Sequence, residues 1–388
     1  MELYIHIPFC AKKCQYCSFV SFSAAEGEKE EYIRAVLQEA SIRRSEFAEP
    51  VTTVFIGGGT PSLLSAEQLV WLVQDLRKQI SILPDAEFTI EANPGTITEP
   101  FVQAARKIGI NRFSLGMQAY QEKLLSLLGR IHTFQQVVQS VELLKKYQIS
   151  NYNLDLMFGI PGQTEKDWKQ TVEAAISLHP THISAYGLIP EEGTPLYDSL
   201  QSGKYALPEP EVERKMYGEA IYMLSQSGYF QYEISNFARA GCECKHNIGY
   251  WTQVPYVGLG ISAASMVNVR KDKQGFQYVR KTNPCTLEQY HQMIRDRDYS
   301  QMETEAISPG DARFETMMLA LRMNRGISEE RFYSLHGVTI ESCYGKQLKK
   351  MQDFGLMQHK SASWMLTAKG MDIQNSILVE LMEDVPTA

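Results

Sequence analysis

The chain has 388 residues, of which 44% are hydrophobic and 21% are charged, a composition typical of folded domains with a large buried core. Its length suggests two or three domains of the usual size of ~100–200 residues. The formal net charge of −7 argues against a broad electrostatic surface for nucleic acid, so we expect no nucleic-acid partner. The sequence shows neither a signal-peptide pattern nor an apolar run approaching the ~18 residues of a membrane span, which predicts a cytoplasmic protein.

The first half of the chain alternates short β-rich runs with longer amphipathic segments. The predicted strands are 3–7, 53–56, 87–92, 112–117, 153–158 and 182–188, and the predicted helices between them are 29–47, 65–80, 98–108, 134–147 and 165–178. Thr164, with Asp167 three residues later, resembles a capping box at the start of the last of these helices. Six strands alternating with helices imply parallel βαβ units in an α/β barrel or open sheet, with the chemistry at the carboxyl ends of the strands.

The second half follows a different pattern. A helix is predicted over 210–227, whereas 228–277 is rich in Tyr, Gly and Asn and is interpreted as irregular or short-stranded. From about 308 the pattern predicts helices at 311–323, 328–336 and 340–353 and then a ribbon within 356–366, which together suggest a winged-helix-like domain. We therefore divide the chain into a partial barrel (1–200), a segment that completes the barrel (201–300) and a C-terminal winged-helix-like domain (301–388).

Three of the seven cysteines crowd into eight residues, in the pattern Cys10-x3-Cys14-x2-Cys17. Three thiolates can hold three irons of a 4Fe–4S cluster and leave the fourth iron for an outside ligand. The competing interpretation is a zinc site, which usually takes paired ligands from two segments and could be completed here by His6 and the Cys242 and Cys244 pair. Inert packed thiols are improbable at this density.

The motif around these cysteines carries a family resemblance. The run Tyr4-x-His6-x-Pro8-Phe9-Cys10-x3-Cys14-x-Tyr16-Cys17 resembles the signature of the radical S-adenosylmethionine superfamily. More narrowly, it is similar to the branch that contains the oxygen-independent coproporphyrinogen III oxidases and the HemW haem chaperones, over the barrel and the C-terminal domain. The resemblance implies a partial (β/α)6 TIM-like barrel with a 4Fe–4S cluster on the three cysteines.

The resemblance also implies S-adenosylmethionine as a cofactor and indicates the side chains that contact it. Glycines in the turn after the second strand let backbone approach a ligand closely, and Glu91 can accept hydrogen bonds from ribose hydroxyls. Asp155 is a carboxylate in an otherwise apolar strand, so it needs a partner or a ligand. Taken alone, the glycines could serve only a chain reversal and Asp155 an ion pair. The full implied set is Tyr4, Tyr16, Gly58, Gly59, Thr60, Glu91, Gln118, Arg130 and Asp155.

Two departures from the oxidase pattern distinguish the members of the branch. The oxidases have a fourth cysteine where this chain has Phe19, and they carry an N-terminal extension where only nine residues precede Cys10 here. Both departures favour the chaperones and predict that coproporphyrinogen III oxidase activity is lacking.

A second motif points to haem. The run Cys244-Lys245-His246-Asn247-Ile248-Gly249-Tyr250-Trp251 matches the H-N-x-x-Y-W element of HemW-like proteins, which is associated with haem binding. By this resemblance the haem-site residues are Cys244, His246, Asn247, Tyr250 and Trp251. His246 or Cys244 would ligate the iron, and on a strand they would face the same side. The residues alone favour a core histidine beside two packed aromatic rings.

The resemblance thus predicts a haem chaperone that binds haem and delivers it to apo-haemoproteins such as respiratory-chain cytochromes. A peripheral encounter with a membrane and a homodimer are both compatible with that role. One alternative is an oxygen-independent coproporphyrinogen III dehydrogenase, in which a 5′-deoxyadenosyl radical abstracts a propionate hydrogen. Another is a nucleic-acid-modifying enzyme, which only the winged-helix-like tail supports.

Overall fold

The computed structural model describes residues 1–272 and 275–382. The strands, in chain order, are β1 (Glu2–Ile7), β2 (Val51–Gly58), β3 (Ile82–Ala92), β4 (Arg112–Gln118), β5 (Tyr152–Phe158), β6 (His182–Gly187), β7 (Phe230–Glu233), β8 (Asn236–Ala238), β9 (Tyr256–Leu259), β10 (Ala264–Asp272), β11 (Gly275–Thr282), β12 (Glu303–Ile307), β13 (Ile327–Ser328), β14 (Met357–Lys360) and β15 (Ser363–Leu366). The helices are α1 (Glu26–Ile42), α2 (Ala66–Gln79), α3 (Glu99–Lys107), α4 (Glu122–Leu127), α5 (Phe134–Lys146), α6 (Glu165–Ser177), α7 (Pro195–Gln201), α8 (Pro210–Gln226), α9 (Lys245–Trp251), α10 (Leu287–Asp296), α11 (Pro309–Ala320), α12 (Glu329–His336), α13 (Ile340–Asp353), α14 (Ala368–Asp372) and α15 (Gln374–Met382).

The strands of the first half form the predicted parallel array. From β1 to β6, each strand pairs in parallel with the next one along the chain. On the other side of β1 the sheet continues through β9, β10, β11 and β12, and beyond β6 it ends with β8 and β7. The result is a mixed 12-stranded sheet that curls into a partial barrel, with β12 and β7 as its two edges. The predicted α/β barrel is therefore confirmed.

The two faces of the barrel strands differ in chemistry because side chains alternate along a strand. On β1, the alternate residues Leu3, Ile5 and Ile7 are fully buried in the hydrophobic core with the surrounding helices. The intervening residues of that strand, Glu2, Tyr4 and His6, face the barrel interior with polar groups of the neighbouring strands. The interior is thus lined by side chains that can hydrogen-bond, and the helices supply the apolar core.

Helix starts follow the local signals in the sequence. At α6 the Thr164 hydroxyl accepts a hydrogen bond from the Asp167 backbone N–H at 3.1 Å, and Asp167 Oδ2 accepts one from the Thr164 N–H at 3.1 Å. This pair is the predicted capping box, which satisfies two otherwise orphaned donors of the first turn.

The C-terminal part contains the three predicted helices, here α11, α12 and α13, followed by the predicted ribbon of β14 and β15. β13 adds to the ribbon to give a three-stranded sheet in the order β13-β15-β14. A separate hydrophobic cluster around Phe332, Leu348 and Leu366 forms the core of this domain. β12, by contrast, pairs with β11 of the large sheet. The proposed boundaries at 200 and 300 stay predictions, and positions 383–388 of the last predicted domain lie outside the described residues.

The segment 228–277 contains the predicted short strands but differs from its prediction in one long strand and one helix; positions 273–274 lie outside the described residues. It contains a nine-residue strand, β10, and the helix α9, besides three strands of three or four residues. Within the part of the chain that the structure describes, no helix is long and apolar enough to cross a membrane.

Candidate cluster and cofactor site

The three cysteines lie in the long loop that follows β1. Backbone hydrogen bonds anchor this loop: Cys10 N–H donates to the Phe22 carbonyl at 2.9 Å, and Gln15 N–H donates to the Leu128 carbonyl at 2.9 Å. Cys10, Cys14 and Cys17 are all free thiols and all partly exposed. The loop is therefore fixed at both ends of the motif, and its three sulfurs remain accessible.

A chain of hydrogen bonds links two of the thiols. The Cys10 sulfur lies 3.5 Å from the Thr60 hydroxyl, which accepts a hydrogen bond from the Asn93 amide at 2.8 Å. Arg130 Nη2 donates to Asn93 Oδ1 at 2.6 Å, and Arg130 Nη1 lies 3.5 Å from the Cys14 sulfur. Arg130 therefore connects the thiol loop to Asn93, just after β3.

The three thiols can be compared with the ligands that a 4Fe–4S cluster or a zinc ion requires. Among residues 1–272 and 275–382, no three His, Cys, Asp or Glu side chains surround a single-ion position. A 4Fe–4S cluster presents separate irons to separate thiolates, so its ligands need not converge on one point. Burial raises the pKa of the Cys17 thiol, and the nearby Cys14 and Cys10 raise it further. Three partly exposed thiols on one anchored loop therefore fit a cluster better than a lone zinc ion.

A cavity of about 440 Å³ lies beside the thiols and brings most of the predicted cofactor residues together. The glycine turn at the end of β2 forms one wall. Gly58 has φ +108°, and a Cβ there would lie 2.5 Å from the His6 ring, so only glycine fits without displacing that ring. At Gly59 a Cβ would lie 2.8 Å from the Phe9 carbonyl oxygen. The cavity is lined by Cys10, Cys14, Tyr16, Cys17, Gly58, Gly59, Thr60, Glu91, Gln118, Arg130 and Asp155, among others.

Two carboxyl groups face this cavity, Glu91 near the end of β3 and Asp155 in the middle of β5. Glu91 Oε2 accepts a hydrogen bond from the Gly58 N–H at 3.0 Å. Burial, and next the charge of Asp155, raise the pKa of Glu91 to about 8. Asp155 accepts hydrogen bonds from Asn153 Nδ2 at 2.7 Å and from the Ser114 hydroxyl at 3.1 Å, and burial raises its pKa as well. Buried carboxyl groups that face a cavity are suited to accept hydrogen bonds from the hydroxyl or amine donors of a ligand.

Tyr4 lies apart from the other residues of the implied set, and its contact with S-adenosylmethionine stays a prediction. It does not line the cofactor cavity, because its position on β1 directs it into the barrel interior below the thiol loop. Its hydroxyl is 3.0 Å from His6 Nδ1, and His6 Nε2 is 2.9 Å from the Val20 carbonyl oxygen. A carbonyl can only accept, so His6 donates to Val20 and accepts from Tyr4. His6 therefore ties β1 to the thiol loop.

A second cavity, of about 590 Å³, lies between the interior face of β1, the β10–β11 ribbon, α9 and α11, and we call it the lateral cavity. Phe19, 65% exposed, lines both this cavity and the cofactor cavity, so the two adjoin. The apolar and aromatic residues of the lateral cavity include Tyr4, Tyr250, Trp251, Tyr256, Met266 and Met318.

The positive charge that faces the lateral cavity is paired with carboxylates. Arg280 and Glu315 are the charged residues among the described side chains that line it. Arg280 donates to Glu315 at 2.8 Å and to Glu305 at 2.8 Å. Arg280, the one cation among the described residues of this wall, is thus already paired with two carboxylates.

The H-N-x-x-Y-W element forms the short helix α9, not a strand, so the expectation that Cys244 and His246 face one side of a strand is wrong. Glu87, on β3, holds the start of this helix: its carboxylate accepts from the Lys245 N–H at 3.0 Å and from the His246 N–H at 3.1 Å. Cys244 is fully buried, and its Sγ lies 3.5 Å from Glu87 Oε1. The helix α9 is therefore fixed against the barrel strands, and we call it the plug.

His246 is only 1% exposed, and both of its ring nitrogens have partners. Nδ1 is 2.7 Å from the Thr53 hydroxyl and Nε2 is 3.0 Å from the Tyr250 hydroxyl, while the ring stacks on Phe55. Burial, and next the charge of Arg112, lower the pKa of His246 to about 3, so the imidazole is neutral. Iron ligation by His246 stays a prediction that requires these bonds to break. Of the predicted haem residues, Tyr250 and Trp251 line the lateral cavity, whereas Cys244, His246 and Asn247 do not.

Sequence reasoning missed several residues of these cavities. Asn93 connects Thr60 to Arg130, and Tyr186 and Met157 line the cofactor cavity. Met157 and Tyr186 lie two residues after Asp155 and Ser184 on adjacent strands. Because alternate residues of a strand face the same side, the sequence could have indicated that Met157 faces the cavity with Asp155.

The chain matches two family models. One, the radical SAM superfamily, covers residues 4–175, and the other, the HemN C-terminal domain, covers residues 307–373. The chain is 34% identical to the heme chaperone HemW of Bacillus subtilis (strain 168) over 376 residues, which is 96% of this chain and 97% of that protein. It is 32% identical to the heme chaperone HemW of Escherichia coli (strain K12) over 382 residues, or 97% of each.

The chain belongs to the HemW family of radical SAM proteins. Membership implies a 4Fe–4S cluster and S-adenosylmethionine as cofactors. Among solved structures, coproporphyrinogen III oxidase (HemN) from Escherichia coli has a similar fold, with a TM-score of 0.83 at 24% identity over 98% of this chain and 90% of that one. This likeness confirms the partial barrel and the C-terminal domain.

Proposed function

We propose that this chain binds haem in the lateral cavity and delivers it to apo-haemoproteins, respiratory-chain cytochromes among them. The observation that carries the proposal is the position of the H-N-x-x-Y-W element. Its Tyr250 and Trp251 form part of the wall of an aromatic cavity that adjoins the thiol loop. A cavity of about 590 Å³ is in the range of small-molecule and cofactor sites, which are mostly apolar with few polar groups. A flat apolar macrocycle suits such a wall.

The buried His246 of the element supports this arrangement because it fixes the position of the Tyr250 ring. Because His246 is held by Thr53, its bond to the Tyr250 hydroxyl sets the direction of the Tyr250 ring. The Tyr250 ring also packs edge-on against Tyr256, at 4.7 Å between ring centroids. In this proposal the histidine positions the aromatic wall, and either Cys244 or His246 ligates iron only if α9 rearranges.

The cofactor cavity has its own role in the proposal. Cys10, Cys14 and Cys17 would hold a 4Fe–4S cluster, which supplies electron transfer and an open iron position when bound. The residues that would hold S-adenosylmethionine are Tyr16, Gly58, Gly59, Thr60, Glu91, Gln118, Arg130 and Asp155. Arg130 orients this site because it contacts Cys14 and Asn93 at once.

The test is a haem titration of the anaerobically reconstituted protein. Trp251→Ala and Met318→Glu change two residues of the lateral cavity and should weaken haem binding by about thirtyfold or more, the equivalent of a hot-spot loss of ~2 kcal/mol. The controls Tyr222→Ala and Met382→Glu alter exposed residues elsewhere and should bind as the unmodified protein does. Iron content and far-UV circular dichroism should be the same in all variants.

A parallel incubation with coproporphyrinogen III and S-adenosylmethionine examines the enzymatic alternative. Stable haem binding without porphyrinogen turnover supports the chaperone function. Turnover of coproporphyrinogen, or haem binding that both cavity variants retain in full, would overturn it.

A further inference from the structure

A third cavity, of about 380 Å³, lies where the end of α9 and the end of α11 meet the first strand of the C-terminal domain, and we call it the arginine cleft. Its wall carries two guanidinium groups, from Arg325 and Arg331, and the hydroxyls of Ser328 and Ser363. No Asp or Glu occurs among the described residues that line it. The wall is therefore rich in hydrogen-bond donors and positive charge.

Among the described residues, no carboxylate pairs with either of these two arginines. In the described part of the chain, neither Arg325 nor Arg331 has a carboxylate within ion-pair distance, whereas neighbouring Arg322 pairs with Glu233 at 3.4 Å. Arg331 donates to the Thr252 backbone carbonyl, which holds its guanidinium against the cleft. Burial, and next the charge of Arg325, lower the pKa of Arg331. A facing anion would have the opposite effect, because an opposite charge favours the charged form.

The arginine cleft shares two wall residues with the lateral cavity, Trp251 and Gln253. Gln253 has φ +54°, so the chain turns sharply just after α9 and brings one residue into both walls. The two arginines thus line a cavity that adjoins the lateral cavity at Trp251.

We propose that the arginine cleft binds the propionate carboxylates of a haem whose ring lies in the lateral cavity. This inference rests on the proposed function and adds the polar end of the site. Among the described residues that line the lateral cavity, a carboxylate would find no free cation, because Glu305 and Glu315 already pair with Arg280. Guanidinium groups are suited to carboxylates because their planar N–H fork can bind both oxygens. Free inorganic phosphate shares this oxyanion chemistry, and the test separates the two sources.

The experiment compares haem with haem dimethyl ester, in which the propionates carry no charge. The reconstituted full chain should bind haem more tightly than the ester by about tenfold or more, which is the usual effect of one charged hydrogen bond. Arg325→Gln and Arg331→Gln together should remove that preference without weakening the binding of the ester. The single variant Arg325→Gln keeps the contact of Arg331 with Thr252 and should therefore remove only part of the preference for haem.

The matched control is the double variant Arg295→Gln and Lys346→Gln. It removes the same net charge from two exposed residues that line neither cavity, and it should keep the preference for haem. If all variants retain the preference, the propionate site is refuted, although haem binding through Trp251 would still stand. The propionate site would also be overturned if millimolar phosphate competed for the cleft while the protein showed no preference for haem over the ester. The cleft would then be a site for free anions. Absence of any haem binding would instead refute the proposed function itself.

Discussion

A methyl group added at Gly249 tests whether α9 is packed as a plug against the barrel. A Cβ there would lie 1.8 Å from Glu2 Oε1 and 2.2 Å from Glu2 Cδ. Glu2 is 2% exposed, so its carboxyl has little room to move. Overpacking a buried site typically costs ~1–3 kcal/mol, and replacing a helical glycine by alanine returns up to ~1 kcal/mol. Gly249→Ala should therefore lower the free energy of unfolding by up to ~2 kcal/mol.

The Glu2→Ala background should reverse this effect. With the carboxyl removed, the added methyl has space, and Gly249→Ala should then stabilise the protein by up to ~1 kcal/mol. The resulting coupling of ~1–3 kcal/mol exceeds the ~0.5 kcal/mol within which distant substitutions are additive. The assay is urea unfolding followed by circular dichroism, with the four proteins of the cycle compared at constant m-value.

The control is Gly218→Ala, in the exposed part of α8. A Cβ at Gly218 would have nothing within 4 Å, so this substitution should be neutral or stabilising in both backgrounds. Additivity of Gly249→Ala and Glu2→Ala would mean that α9 does not press on the barrel floor, and the plug would be refuted.

Four further predictions follow from the two sites. Cys14→Ser should abolish the iron–sulfur absorption and the ~four irons per chain of the reconstituted protein; zinc in place of iron and sulfide would contradict the cluster. Asp155→Ala and Glu91→Ala should each weaken S-adenosylmethionine binding about tenfold or more at unchanged iron content, measured by calorimetry; unaltered affinity in both would exclude them from the cofactor site. Burial raises the pKa of the Glu2 carboxyl to about 8, above its unfolded value, so the contribution of Glu2 to stability falls as pH rises from about 4.5 to 8. Between pH 5.5 and 7.5 the unmodified protein should therefore lose roughly 2–3 kcal/mol more free energy of unfolding than the Glu2→Gln variant. Equal pH slopes in the two proteins would refute this. His246→Ala should lower haem affinity without changing the absorption spectrum of the bound haem, since the imidazole acts through Tyr250; a shifted spectrum would show that it ligates iron.

The barrel strands and the thiol loop are the parts that local sequence patterns predict well. Parallel strands buried on both faces give short, largely apolar runs, and the helices between them carry their own caps, as at Thr164. The cysteine spacing is equally local, because one loop carries all three ligands. These features need no knowledge of distant contacts.

The helix α9 could not be predicted in the same way. It is seven residues long, and the group that holds its start is Glu87, more than 150 residues earlier in the chain. A short helix stabilised by a distant carboxylate leaves no periodic signal. Cavity walls are missed for the same reason: Met266 and Met318 come together only through tertiary packing, and Arg325 and Arg331 resemble ordinary surface residues until their lack of counter-ions is seen.

The hydrogen bonds of His6 have a thermodynamic consequence. They connect Tyr4, a wall residue of the lateral cavity, to Val20 in the loop that carries the thiols. An occupant that displaces Tyr4 must therefore strain or release that loop, and cluster assembly must act on Tyr4 in return. Binding linkage is reciprocal, so the factor by which the cluster changes haem affinity equals the factor by which haem changes cluster affinity. If the proposed function holds, measuring haem affinity with and without the cluster would therefore give both coupling factors at once.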